Sequence, residues 1–276
     1  MKRFGVIIVL LISFIGCTVV VSDKDGTFGK ELWDDSTFVQ KTVDASRLDQ
    51  NIIKAKVSGI WQEFKLENLP DAFLHWNFNK RKQVIDDIQK GKMPGLAGPH
   101  NGIVATYGFR REDTKFKVNN AIKGCGFLPK REKMKEIIKL LKNTYEDDMM
   151  KKMKVLTDLY TKGDSIFDVT KQVSLELYAS PERGTQTFLN QMTDPTSVIV
   201  FMDIPTFKLK TIAYLLHPKN PDLNEYEKDV IEYINLIHSY FHGDFSKEFI
   251  AVIYNVIESY NSSPGNENGR GTRMVP

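Results

Sequence analysis

Cysteine is nearly absent from the 276 residues: Cys17 and Cys125 are the only two. That excludes a small fold stapled by several disulfides, and equally a structural zinc site built from several thiolates. A one-sided charge is missing as well. Thirty-eight Lys and Arg stand against 35 Asp and Glu, a formal charge of +3. A nucleic-acid partner would need basic residues gathered on one face, and the short cluster Lys130, Arg131, Lys133 and Lys135 at a helix start reads as solvated surface. No Gly-x-Ser-x-Gly elbow, no His-Glu-x-x-His and no Gly-Lys-Ser/Thr phosphate loop occurs. Asp23-Lys24-Asp25-Gly26 opens like a calcium loop, but the later ligand positions are not filled. Internal repeats are lacking too, and no stretch reads as a linker between domains.

What is present begins at the N-terminus. Met1-Lys2-Arg3 is a basic start, and Gly5 to Gly16 follows with Ser13 as its one polar interruption. A cationic tip ahead of an apolar run is the layout of an export signal. The run ends Phe14-Ile15-Gly16-Cys17, which resembles the lipobox of bacterial lipoproteins. Gly16 and Cys17 match that pattern, while Phe14 and Ile15 are bulkier than its usual residues. The resemblance covers the signal only. It implies that residues 1–16 are removed and that the Cys17 thiol carries a diacylglycerol, so membrane lipid is the first partner. Two alternatives remain. Apolar character continues through Val21, so the segment is at the lower length limit of a spanning helix kept as an anchor. An ordinary cleaved signal is the other. In each case Lys2 and Arg3 stay inside and the remainder lies outside the cytoplasm, in an inner or outer membrane.

Residues 17–42 are polar and charged with scattered aromatics (Phe28, Trp33, Phe38), a tether and lead-in. Regular patterning extends over 43–260, and residues 261–276, rich in Asn, Ser, Gly and Pro, read as a disordered tail. Within 43–260 the spacing of Ile53, Val57, Ile60, Trp61 and Phe64 predicts a helix ending at Leu69-Pro70. A second helix is predicted over 80–90. Strands are predicted at 103–107, 115–122 and 173–177, and a strand covered on both faces at 197–203. A long helix, broken near Asp147 and stopped by Gly163, is predicted over 130–160. Leu209, Ile212, Ala213 and Leu216 predict a short helix after Pro205. Asp222 and Glu225 have the spacing of a capping box for a further helix closed by Gly243. The segment 249–260 fits either element, with its Ile and Val content favouring a strand. The sum is an α/β or α+β class: a single helix-rich domain carrying a mixed sheet of about four or five strands.

Chemistry-bearing residues are sparse. His238 and His242 lie four apart on a predicted helix, so both imidazoles share a face, and Asp244 follows; together they form a candidate metal set, with His100 or His217 completing it. The plain alternative is a role at the helix C-terminus, where the dipole favours a cationic imidazole. His100 sits in a Gly- and Pro-rich loop and Asp203 at the end of a strand, so both are candidate ligand-binding residues at a pocket rim. Cys125, between Gly124 and Gly126, reads as a structural thiol rather than a nucleophile. No reaction and no cofactor follows from these residues. The resulting expectation is a membrane-anchored envelope lipoprotein whose exported domain binds a partner, such as an envelope protein, or a ligand. The alternative is an extracytoplasmic, metal-assisted hydrolase.

Overall fold

The structure is a computed structural model in which residues 29–95, 97–265, 267 and 270–275 are described. Cys17, the apolar segment before it and Asp23–Gly26 therefore lie outside the described residues. No described helix is long and apolar enough to cross a membrane.

Sheet dominates. Strands β1 (Val43–Asp44), β2 (Ile52–Val57) and β3 (Ile60–Lys65) make a small antiparallel sheet. Helix α1 (Asp71–Gln89) follows. The large sheet contains β4 (Asn101–Tyr107), β5 (Val118–Gly124), β6 (Gly126–Pro129), β7 (Phe167–Glu176), β8 (Thr196–Phe201), β9 (Phe207–Leu216), β10 (Ile250–Asn261) and β11 (Thr272–Val275). Its order is β5-β4-β8-β9-β10-β7-β6, with β11 paired to β10, and its pairings are antiparallel. It curls into a half-barrel. Helices α2 (Met134–Asn143), α3 (Met149–Lys162), α4 (Gln186–Thr193) and α5 (Glu225–His242) are the remaining described α-helices, and four described 3-10 turns accompany them.

This overturns the helix-rich class with four or five strands. Two predicted helices are in fact strands, each for its own reason. The set Ile53, Val57, Ile60 and Phe64 is spaced like a helix, but a two-residue turn lies inside it. Ser58 and Gly59 have φ of 50° and 82°, the left-handed region that a tight hairpin turn needs. The turn folds β3 back on β2, pairing Val57 with Ile60 and Ile53 with Phe64. In β9, Leu209, Thr211, Ala213 and Leu215 face the helices while Ile212 is buried on the opposite face. A strand covered on both sides near its middle loses its alternation, and the remaining apolar spacing imitates a helix. The tail differs as well, since Thr272–Val275 pairs with β10.

Several other elements match their patterns, although α1 begins nine residues before the predicted 80–90 helix, β7 six before the predicted strand, and α4 and β6 have no predicted counterpart. The break near Asp147 separates α2 from α3, where Asp148 caps α3 by accepting from the Lys151 amide at 3.0 Å. The capping box of α5 is formed by Asn224 and Glu227, two residues beyond the predicted pair, and Gly243 closes the helix. Segment 250–261 is a strand.

The helices pack on one face of the large sheet. There Phe73 and Trp76 of α1 meet Phe201 and Phe207 with ring centroids 5.3–5.9 Å apart, and Phe78 stacks on Phe127 at 4.6 Å. On the opposite face the small sheet covers only the β9–β10 region, through Ile53, Ala55 and Leu66 packed with Ile212 and beside Ile257. Beyond β3 that face of β8, β4 and β5 is left open among the described residues.

Candidate functional site

Two places carry functional potential: a buried cationic centre beneath the helices, and the open apolar face just described.

The buried centre is organised by Arg81, which is only 2% exposed. It comes from the middle of α1, where an arginine on the inward stripe drew no attention in the sequence. Nε donates to Oδ1 of Asn77 at 2.6 Å, one turn earlier. Nη2 donates to the carbonyls of Pro99 at 2.7 Å and Cys125 at 2.6 Å. Nη1 donates to Nδ1 of His100 at 3.1 Å and to the Tyr160 hydroxyl at 3.4 Å. Every partner is neutral, and among the described residues no carboxylate forms an ion pair with Arg81. Hydrogen bonds therefore replace the counter-charge that a buried guanidinium ordinarily has. The rings of Phe127 and Tyr160 lie 5.6 and 5.4 Å from the guanidinium carbon and add a diffuse attraction.

His100 is fixed by this contact. A guanidinium only donates, so Nδ1 accepts and the proton sits on Nε2, which is buried without a hydrogen-bond partner. Burial, and then the Arg81 charge, hold its pKa well below the usual histidine value. His238 donates from Nδ1 to the Ile234 carbonyl at 3.0 Å, and burial pulls its pKa down to about 4. Cys125 is buried, its thiol donating weakly to the Lys123 carbonyl at 3.6 Å, and burial pushes its pKa up to about 11. A thiol held protonated in this way is a poor nucleophile, in keeping with a structural role.

The candidate metal residues stay apart. The ring centroids of His238 and His242 are 6.5 Å from each other, and Asp244, exposed, accepts from the Tyr145 hydroxyl. Among the described residues no three His, Cys, Asp or Glu side chains are placed to hold a metal ion. His217 packs against Trp33 and Phe38 and is bonded to Thr37 at 3.1 Å. Asp203, at the carboxyl end of β8, accepts from Trp76 Nε1 at 3.0 Å and lies 3.8 Å from Lys80. It ties that strand end to α1 and has no hydrogen bond or ion pair with His100 or His238 among the described residues. Arg81 thus draws His100 and Cys125 together, near His238, and leaves Asp203 and Asp244 outside.

The open face forms a trough of about 640 Å³. Ala105, Val118, Val198, Ile212 and Ile257 floor it, and Phe64 of β3 and Tyr107 wall it. Tyr107 is 48% exposed, Val118 64% and, farther along β5, Ile122 62%. At the β10 end Lys210 pairs with Glu258 at 2.7 Å, and Arg273 reaches the same carboxylate at 3.1 Å. Polar side chains on these strands, such as Thr106 and Ser197, point to the other face and are bonded to Asn190 and Gln191 of α4. The trough is mainly apolar, with Thr106 and Ser197 turned to the helix and Asn120, Thr196, Lys210 and Glu258 as its polar lining. Sequence reasoning missed it. The signal available was the outward Ala105 and Tyr107 and the apolar run Val198–Val200, on strands whose outer face has no second layer among the described residues.

No family model and no curated protein sequence matches the chain. Among solved structures, a Listeria innocua protein given provisionally as a pyridoxamine 5'-phosphate oxidase is similar over 66% of this chain and 94% of its own, at 10% identity and a TM-score of 0.29. A likeness that loose assigns neither fold nor activity.

Proposed function

We propose that this protein is a membrane-tethered, exported binding protein, and that it takes an apolar ligand or partner segment in the trough between β3 and the strands β8, β4 and β5. The trough carries the reading. Its volume of about 640 Å³ is in the range of natural ligand pockets, roughly 300–1,000 Å³. An exposed apolar sheet face on an exported domain marks an interaction site, because leaving it in water is unfavourable. The Met1–Cys17 pattern supports the tether, with lipid on Cys17 and the domain outside the cytoplasm.

The full chain in phosphatidylcholine nanodiscs is exposed to a small apolar diazirine probe, and labelled sites are read by peptide mass spectrometry. Labels are expected on 105–107, Val118 and Val198, and their loss in Val198→Asp. Labelling spread evenly over the surface, unchanged by that substitution, would sink the trough reading. Intact-mass measurement of the chain extracted from its own host's membranes tests the tether separately: a chain starting at Cys17 with a diacylglycerol and acyl increment is expected.

A further inference from the structure

The wall of the trough is itself an unfinished sheet. β3 is the edge of the small sheet, and among the described residues no strand pairs with its outer side. Which of its main-chain groups face outward is fixed by the hairpin. A two-residue turn makes Val57 and Ile60 a hydrogen-bonded pair. Alternation then points the N–H and C=O of Gln62 and Phe64 at β2, and the Leu66 amide, donating to the Asn51 carbonyl at 2.8 Å, keeps the same parity. The N–H and C=O of Trp61 and Glu63 therefore face away from β2, over the trough. The side chains divide the other way. Ile60, Gln62 and Phe64 share the trough face with Ile53 and Ala55, while Trp61, Glu63 and Lys65 face solvent. Ile60 is 67% and Trp61 50% exposed. An unprotected strand edge beside an uncovered apolar floor is a place where a strand can add.

The surrounding charge limits what that strand carries. Glu63 is engaged by Arg47 at 2.7 Å and Lys54 at 4.0 Å, and Glu258 by Lys210 and Arg273. Glu63 and Glu258 thus each already have two cations, Glu67 has Lys65 at 3.5 Å, and Lys56 and Lys208, with no ion pair among the described residues, leave a positive excess. The complementary occupant is acidic on its solvent side. A second copy does not fit. Antiparallel pairing of two β3 strands places the two-fold axis through the sheet, which keeps both large sheets on one side, where β8, β4 and β5 already lie.

Resting on the trough reading above, we propose that an extended acidic polypeptide segment of another protein adds to the free edge of β3. It hydrogen-bonds to Trp61 and Glu63, drops every second, apolar side chain into the trough and turns its carboxylates toward Lys65 and Lys56. The probe is a fluorescein-labelled, end-blocked Val-Glu-Val-Glu-Val-Glu-Val peptide, followed by anisotropy with the full chain in phosphatidylcholine nanodiscs. Saturable binding is expected. It should weaken at least tenfold in Glu63→Pro, which removes an outward N–H where an edge strand tolerates proline, and stay near wild type in Glu63→Ala. Methylating alternate amides of the peptide should weaken binding to the wild-type chain equally, independent of how any variant folds. Replacing Glu by Lys in the peptide should do the same. Failure of the peptide to bind while the diazirine probe still labels the trough overturns strand addition and spares the trough; failure of both removes the trough reading. Equal binding by Glu63→Pro, or mass photometry showing a dimer that Glu63→Pro dissolves, also overturns the proposal, the latter in favour of a second copy.

Discussion

Arg81 and His100 are joined by a hydrogen bond of 3.1 Å that decides where the imidazole proton resides. Because the guanidinium can only donate, Nδ1 of His100 is the acceptor and Nε2 holds the hydrogen. The same arginine binds the carbonyl before His100 and that of Cys125. It thereby locks the Pro99–His100 segment and the β5–β6 junction to α1.

Replacing Arg81 by Met should cost about 3 kcal/mol or more. The buried carbonyls of Pro99 and Cys125 lose a charged donor, and bonds of that kind are worth roughly 1.5–3 kcal/mol each. Arg81→Lys should recover only part, since an ammonium cannot reach five acceptors in one plane. Urea unfolding of the three proteins checks this; a loss below about 1 kcal/mol for Arg81→Met contradicts it.

Stability should fall as pH drops below about 6.5. His100 and His238 have lowered pKa values in the native state, His238 at about 4, so they stay neutral there while the unfolded chain binds protons. The unfolded state then holds more protons, and stability rises with pH across this window. Each histidine contributes a slope of up to about 1.4 kcal/mol per pH unit. Thermal melts between pH 5 and 7.5 should show it, and His238→Asn should flatten the curve by about one proton's worth. A slope unaffected by that change would rule out His238 as a source.

Gly102→Ala and Gly124→Ala should differ sharply. A Cβ on Gly102 would lie 2.6 Å from Cγ2 of Ile199 and 2.8 Å from Cys125 Sγ, both in the packed interior. Overpacking of this kind costs about 1–3 kcal/mol. A Cβ on Gly124 meets only Nε2 of His238, at 3.5 Å, an ordinary contact. Midpoints in guanidinium chloride should place Gly102→Ala well below wild type and Gly124→Ala close to it.

Lys123 and Glu176 form a buried pair at 2.5 Å, with the glutamate side chain 1% exposed. Lys123→Met strands that carboxylate and should cost about 3 kcal/mol. Adding Glu176→Gln should restore much of the loss, because a neutral amide is cheaper to bury than an unpaired charge. A double variant less stable than Lys123→Met alone would refute the account.

Much of the chain's local order can be read from its residues. The break before Asp148, the stop at Gly163, the helix closed by Gly243 and the strands around Val104 and Ile199 follow from caps, glycines and β-branched runs. Those signals are local and survive any fold. The hairpin at Ser58-Gly59 was legible too, as a small-residue turn between alternating segments, but helical spacing across it was the louder pattern. For β9 no local signal sufficed: Ile212 is buried by β2, a strand more than 150 positions earlier in the chain.

The site divides in the same way. His238 and His242 share a helix, as their spacing requires, yet the rings lie 6.5 Å apart and Asp244 turns to Tyr145. Nothing near Arg81 in sequence announces that three distant segments converge on it.

By itself the sequence determined the composition limits, the cationic-apolar start, the helix stops and the strand-forming runs, because each depends on neighbours a few residues away. Only the tertiary structure decided which sheet face lacks a second layer and which strand edge stays unpaired among the described residues, and where a guanidinium is buried among neutral acceptors. Those properties depend on what packs across space, and apolar spacing along a chain cannot say which of its two faces will be covered.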